Sequence, residues 1–434
     1  MITNRLFLRK WAMVSLLMML VSGLTAQGVS DRADKRVKAE DFIIFPWGGV
    51  STPDFSVGAW GDMTGPADLM KDLYDCGYNT TGFIPAKYVQ YAVPFRLAVI
   101  LRDGEIASYP DVTPQQAEET VKAALNKIES PELRKAVYSV YITDEPSASM
   151  FPRLHLWADA IREQGFLPYI NLYPSSANNE RLGSEGYEAH LDEFVRICHP
   201  TYISYDKYSV FDDETLDEDG FYSNLEIVRK KALQYNIPFW NVVLSNAHFH
   251  YAEPSPATLG VQVYSTLAYG GRGIGYFTHY AREKGNYRLT PIDNYGHRTK
   301  TWEMMRDVNL KIHALAPVYC TLKSVNVFHV GNVPRNGQGI ESAVHLRSIS
   351  EGNLLVGEFV DPDNKPYLLI VNKDIRKSVQ VKVAFKKEGK MMLISPYGRG
   401  KMRFAGEQDW LAPGAGVLLT VEYRYIHGKQ KSFI

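Results

Sequence analysis

The segment YITDEPSAS, Tyr141 to Ser149, carries an apolar run into two adjacent acids, Asp144 and Glu145, followed by Pro146 and small residues. A third acid, Asp206, lies in ISYDKYS beside Tyr205 and Tyr208. Carboxyl groups brought together can cleave an acetal. One protonates the leaving oxygen, while another attacks the anomeric carbon or activates water. The competing reading of Asp144 and Glu145 is helix initiation, since an acid before Pro146 and small polar residues makes a good helix start. Asp206 could equally serve as a hydrogen-bond acceptor or bind a hydroxyl group. Neighbours on a regular strand point to opposite faces, so only one of Asp144 and Glu145 would enter a cleft, leaving the other to brace a neighbouring strand. Pro146 restricts Glu145 to an extended conformation, which would hold its carboxyl out at a rim. The same alternation sets Ser204, Asp206 and Tyr208 on one side, with a tyrosine beside the acid.

The elements around these acids say which rim is meant. Short β-rich apolar runs at 41–49, 78–84, 95–101, 136–145, 167–174, 201–210, 237–246 and 273–279 alternate with amphipathic stretches. Among the latter are 67–77, 113–128 with Thr113 as N-cap, 151–165, 224–236, 256–271 and 299–316. Unbroken alternation predicts an α/β fold, a parallel sheet closed as a (β/α)8 TIM barrel. An open doubly wound sheet would carry a glycine-rich phosphate turn after its first strand, and PWGGVSTPD does not fit one. After about residue 322, strands such as LLVGEF, PYLLIV and GVLLTVEY follow one another with turn-rich pieces between them. These predict a C-terminal all-β sandwich domain. The expected division is a signal peptide over 1–26, a barrel over 27–320 and a sandwich over 321–434.

Active sites of such barrels lie at the C-terminal strand ends. Those ends bring Trp47, then Asp144 and Glu145, Asn171 and Tyr173, Tyr205, Asp206 and Tyr208, Trp240 and Asn246 with His248 beyond, and Tyr276 and His279. Trp47 and Trp240 would offer stacking faces, and Asn171, Asn246 and His279 could bind hydroxyl groups. Each aromatic, taken singly, is more often core than platform. His248 and His250 form an HxH pair, but in barrel metallohydrolases such a pair ends the first strand, which here ends PWGG. No metal or other cofactor is expected.

Composition narrows the partners. The 48 basic and 48 acidic residues balance, which argues against nucleic acid or an acidic membrane. The 27 tyrosines and 7 tryptophans suit ligands with flat apolar faces and hydroxyl groups, as sugars have. MITNRLFLRK, the apolar run after it and Ala26 read as a signal peptide with no following cysteine for a lipid anchor. A secreted or periplasmic chain without a membrane anchor is expected. Cys76, Cys198 and Cys320 read as free thiols, forming neither a disulfide framework nor a zinc site.

With Glu145 closing strand four, an aromatic strand eight and a C-terminal sandwich, residues 41–320 resemble the clan of retaining glycoside hydrolases that includes the family 42 β-galactosidases. TDEPS, NLYP, SYDKY and GIGYFTH also resemble a group of uncharacterised secreted barrel proteins from polysaccharide-degrading bacteria. The clan implies a carbohydrate substrate, an acid/base glutamate at Glu145, an asparagine where Asp144 stands, and a nucleophilic glutamate ending strand seven. That strand reads FWNVVLSN, and the nearest acid is Glu253 in the following loop. The second carboxylate is therefore Asp206, Glu253 or none. The adjacent Asp–Glu pair also resembles substrate-assisted N-acetylhexosaminidases and chitinase-like barrels. There the Asp orients the substrate's acetamido group, and a Tyr–Asp like Tyr205–Asp206 helps. A glycoside hydrolase is expected, with Glu145 as proton donor and Asp206 and Asp144 as partners. Its rivals are the substrate-assisted variant and a non-catalytic sugar-binding barrel.

Overall fold

A computed structural model describes residues 36–50, 65–108 and 111–423. The expected signal peptide lies outside them. Eight strands form one parallel sheet: β1 (Ile43–Pro46), β2 (Thr80–Ile84), β3 (Ala98–Leu101), β4 (Val137–Asp144), β5 (Leu167–Leu172), β6 (Ile203–Asp206), β7 (Phe239–Leu244) and β8 (Gly273–Phe277). From β2 to β8 each pairs with the next in sequence, and β8 returns to β1, so the sheet curls into the expected barrel. The strands are apolar on both faces, as a sheet wrapped in helices requires. The remaining seam, between β1 and β2, is drawn together by Asn79. Its backbone N–H donates to Ile44 O at 3.3 Å, and its Oδ1 accepts from Ile44 N–H at 2.8 Å.

Inside, Ile43, Phe45, Phe83, Ile100, Tyr169, Tyr202, Trp240 and Val242 fill the barrel. Large rings fit there because β8 presents glycine at alternate inward positions. A Cβ on Gly273 would lie 2.4 Å from Ile43 and 2.6 Å from Trp240, and one on Gly275 would lie 2.7 Å from Phe45. The barrel is thus a packed core up to its C-terminal rim, and only the rim is available for a ligand.

Outside run α1 (Pro66–Asp75), α2 (Pro114–Asn126), α3 (Phe151–Glu163), α4 (Tyr187–Cys198), α5 (Glu218–Tyr235), α6 (Pro256–Ala268) and α7 (Lys300–Tyr319), with shorter turns between them. Thr113 caps α2 in a reciprocal capping box with Gln116, satisfying two amides that would otherwise lack partners. In α6, every residue from Leu259 to Ala268 is buried. A helix that is apolar all round must be covered all round. Here β7 covers one side and the C-terminal domain the other.

That domain is built on a six-stranded antiparallel sheet. Its spatial order is Lys401–Arg403, Lys390–Ile394, Gly416–Glu422, Pro366–Asn372, Leu354–Val360 and Lys323–Val330. Alternation splits the sheet cleanly. Tyr367, Leu369 and Val371 join the barrel's core cluster, while Leu368 and Ile370 join a second core with Phe385 and Leu411, which lie on two short two-stranded ladders. Both faces of the sheet are covered, which explains why PYLLIV reads as a continuous apolar run.

Candidate active site

The three acids meet at the C-terminal rim. The pairing of β4 with β5 shifts register between Tyr141 and Thr143, and Asp144 falls opposite Asn171. Glu145 then leaves the strand with φ 46°, in the left-handed region, while its N–H donates to Asn171 O at 2.8 Å. The extended conformation expected from Pro146 is therefore not adopted. Ladder bonding to β5 outweighs a backbone cost of about 1–3 kcal/mol. Such strain clusters at functional positions, and here it sets the direction in which Glu145 departs. Nor do the acids start a helix. The next turn begins at Ala148 with Ser147 at its N-cap and no side-chain capping bond. Because the strand is irregular, one carboxyl need not face away from the other, contrary to the expectation from strict alternation.

Asn171 organises the cluster from the middle of β5. It is buried, and its Nδ2 donates one hydrogen to Asp144 Oδ1 at 3.1 Å and the other to Asp206 Oδ1 at 2.9 Å. Its Oδ1 accepts from Ser204 Oγ at 2.8 Å, and that hydroxyl lies 3.0 Å from the hydroxyl of Tyr169. The chain Tyr169–Ser204–Asn171 fixes the amide so that both its hydrogens point at acids. The Tyr208 hydroxyl donates to Asp206, as the shared face of Ser204, Asp206 and Tyr208 predicted.

Among the described residues, none of the three acids forms a salt bridge, and all three are half-buried. Burial therefore raises each proton affinity with little to oppose it. Glu145 is pushed up to about 7, first by burial and then by the charge of Asp144, with Arg181 pulling the other way. Asp144 rises to about 6 through burial, tempered by the Asn171 hydrogen bond and the charge of Arg282. Asp206 is also raised well above the carboxylate range, by burial and then by Glu145 and Asp144. Three acids that feel one another titrate as a set, so near neutral pH they share protons. One protonated carboxylic acid beside an ionised carboxylate is the resting arrangement that acetal cleavage needs.

Around the acids stands an aromatic wall. Trp47 meets Phe83 at 5.5 Å and Phe277 at 5.6 Å, and Phe83 meets Tyr141 at 4.4 Å. On the other side Tyr208 stacks on Phe277 at 5.7 Å and meets Tyr251 edge-on at 5.5 Å. Trp47, Tyr141, Tyr208 and Phe277 keep part of their surface exposed, so rings border the carboxyl cluster and remain open to a ligand. Tyr173 also belongs on this side. Its hydroxyl is raised by burial and then by the charge of Glu145.

Other residues expected to bind substrate are placed elsewhere. Trp240 lies flat on Tyr202 at 3.6 Å inside the barrel and is core. Tyr205 and Tyr276 point outward, among the residues between strands and helices, and the Tyr276 hydroxyl donates to Asn309 at 2.8 Å on α7. His279 is wholly buried, with Nε2 2.9 Å from Asp72 Oδ2 and Nδ1 3.1 Å from the Tyr78 hydroxyl. Asn246 donates to Phe277 O at 2.8 Å, and its Oδ1 lies 3.2 Å from His248 Nδ1. His248 in turn stacks on Tyr287 at 4.9 Å and stands edge-on to Tyr208 at 5.8 Å, a buttress behind the wall. Burial and the charge of Arg282 push that histidine down to about 4, so it is neutral at physiological pH. Glu253 is exposed and faces Arg288 at 3.4 Å, in a separate groove shared with Asp212 and Arg376. Of the two named contenders for the second carboxylate, only Asp206 joins Glu145.

Tyr141, Phe83 and Phe277 were missed. Strand eight held the signal for Phe277, because alternate Gly273 and Gly275 mark the inward face and continue to position 277.

No protein-family model matches the sequence, and no curated protein is similar to it in sequence. Solved structures do resemble the fold. A family 39 glycoside hydrolase from Bacteroides cellulosilyticus WH2 superposes with a TM-score of 0.51 at 10% identity, over 89% of this chain and 82% of that one. A family 51 α-L-arabinofuranosidase from Bifidobacterium longum superposes with a TM-score of 0.50 at 11% identity, over 89% of this chain and 96% of that one. The shared architecture is a (β/α)8 barrel followed by a β domain, the fold on which these glycoside hydrolases are built.

Proposed function

We propose that the chain is a secreted glycoside hydrolase acting on oligo- or polysaccharides, with Glu145 as the proton donor and Asp206 as its partner carboxylate. The observation that carries this reading is the Asn171-centred cluster, in which Glu145 is held near 7 beside two further acids at the rim. In the reaction the glycosidic C–O bond breaks as the leaving oxygen takes the proton of Glu145. Asp206 either adds to the anomeric carbon, forming a glycosyl ester that water then hydrolyses as Glu145 takes back a proton, or removes a proton from a water that attacks that carbon directly. Both routes leave a hydroxyl there. The aromatic wall excludes water on one side and offers faces to the sugar ring.

A retaining mechanism of the family 42 type would place a carboxylate at the end of β7, where Ser245 and Asn246 stand. This vacancy, with Asp144 beside Glu145, favours a second reading, the substrate-assisted one. The substrate's 2-acetamido oxygen attacks the anomeric carbon while Glu145 protonates the leaving oxygen. Asp144 or Asp206 holds the acetamido N–H. Water then adds at the anomeric carbon, releasing the acetamido group and returning a proton to Glu145.

Purified protein on a panel of aryl glycosides, each paired with its 2-acetamido counterpart, tests both readings. Release from the acetamido members alone selects the substrate-assisted route, and release from the plain members selects a carboxylate of the protein as partner. Binding of oligosaccharides with no release from any member would show a sugar-binding barrel without turnover and end the hydrolase reading.

A further inference from the structure

Three guanidinium groups stand at the rim, two of them acting on the acids and one on the aromatic wall, and none forms a salt bridge with a carboxylate among the described residues. Arg102 follows β3 and lies over the Tyr141 ring at 5.7 Å. Arg282 follows β8 and lies over Phe277 at 4.8 Å and Tyr287 at 5.6 Å. Arg181 follows β5, is exposed, and acts on Glu145 through its charge. Elsewhere, arginines near acids pair with them: Arg288 with Glu253, Arg376 with Glu214, Arg298 with Asp72. The acid next to Arg102 in sequence, Asp103, is taken by Lys127 at 2.6 Å. The rings beneath Arg102 and Arg282 orient the planar groups by cation–π contact, and among the described residues no side chain or carbonyl takes their N–H edges. A fixed guanidinium with free edges beside a sugar-sized aromatic wall is suited to a carboxylate or sulfate, which it can bind through two parallel hydrogen bonds.

We propose that the mouth of the barrel selects glycans bearing anionic groups, uronate carboxylates or sulfate esters, through Arg102 and Arg282 with Arg181 beside them. The positive rim also answers a difficulty of the site. A negatively charged sugar would be repelled by Asp144 and Asp206 unless cations stood nearer to its charge than those acids do. The proposal rests on the hydrolase reading for the location of the sugar, but its test is one of binding.

The test uses the full chain carrying Glu145→Gln, so that ligands survive, and calorimetry with oligogalacturonate, a sulfated galactan oligosaccharide and a neutral galacto-oligosaccharide. The charged sugar that fits is expected to bind at least about tenfold more tightly than the neutral one, about 1.4 kcal/mol, and to weaken as salt is raised. Whether it is the uronate or the sulfated sugar identifies the source of the charge. Adding Arg102→Ala and Arg282→Ala should abolish that advantage, so that charged and neutral sugars bind alike. Equal affinity for charged and neutral sugars, no binding of either charged sugar, or no loss in the arginine variants would overturn the proposal. Hydrolysis of neutral aryl glycosides by wild type alongside such a result would leave the hydrolase reading standing. Tight, salt-sensitive binding of a charged sugar that wild type never cleaves would do the reverse.

Discussion

Two acidic sites stand in contrast, one at Glu145 on the barrel rim and the other at Asp72 on α1, buried against His279. Asp72 is almost fully buried, yet His279 at 2.9 Å and Arg298 at 2.8 Å meet its two oxygens. Burial alone would raise its proton affinity, but the hydrogen bonds and charges of His279 and Arg298 outweigh that and hold it below the usual value. Asp144, Glu145 and Asp206 are less buried, and all three are raised, because burial outweighs the amide and phenol that bond Asp144 and Asp206, and the charges of Arg282 and Arg181 lower Asp144 and Glu145 only in part. One cluster has its charge neutralised and ties α1 to the segments after β8. The other keeps mutual repulsion in place at the C-terminal rim of the barrel. Asp72 is given cations, whereas these acids are left poised to exchange protons.

The contrast can be broken most sharply at Glu145. Glu145→Gln removes the exchangeable proton but keeps the shape, and should lower turnover about 10²–10⁴-fold with sugar affinity retained. Asp206→Asn should cost about as much if Asp206 is the partner. A milder loss at Asp206 than at Asp144→Asn would move the partner role to Asp144. Activity should fall as pH rises through about 7, where Glu145 loses its proton, and a basic limb absent from the pH–rate profile would contradict the assignment.

Stability should separate the clusters in opposite directions. The folded-state value of Asp72 is depressed, so its contribution is present above the unfolded carboxylate range and is lost as pH falls through its lower folded value. Removing it as Asp72→Ala should cost about 3 kcal/mol at pH 7 by leaving Arg298 and His279 without their partner. Activity per folded molecule should be kept. Glu145 has a raised value, so its contribution is present at low pH and is lost as pH rises through about 7. Glu145→Gln should therefore raise the melting temperature at pH 8, by an amount equivalent to about 1–3 kcal/mol, and change little at pH 4. Thermal unfolding at both pH values reads both effects. The smallest change is expected for Arg282→Ala. Losing that charge should leave the acidic limb of the pH–rate profile in place if Asp206 is the partner and move it upward if Asp144 is, because Arg282 helps to keep Asp144 ionised.

The fold was legible because its signals are periodic. Alternating β-rich and amphipathic stretches, Thr113 before its helix, and the change of texture after 322 each rest on repeated local patterns that the tertiary structure respects. The acids were legible as types at strand ends, and Tyr208 through its spacing from Asp206. What misled was orientation. Counting alternate positions assumes a regular strand, but β4 shifts register at the residues that matter and Glu145 turns left-handed despite Pro146. At β8 the polar residues Tyr276 and His279 drew attention, although both face outward and Phe277 faces the mouth. A buried polar side chain satisfied by a distant helix, as Tyr276 is by Asn309, looks the same in sequence as one waiting for a ligand. The arginines gave no signal in sequence, since their placement depends on rings brought in from other strands.

The central claim, that Glu145 delivers the proton, is tested most directly by leaving-group dependence. Wild type and Glu145→Gln would be compared on two aryl glycosides of a sugar that wild type cleaves, one with a dinitrophenolate leaving group and one with an unactivated phenol. A proton donor predicts that kcat/KM of the variant collapses on the unactivated phenol and is largely spared on the dinitrophenyl glycoside, which departs without protonation. Equal losses on both, or no loss on either, would contradict it.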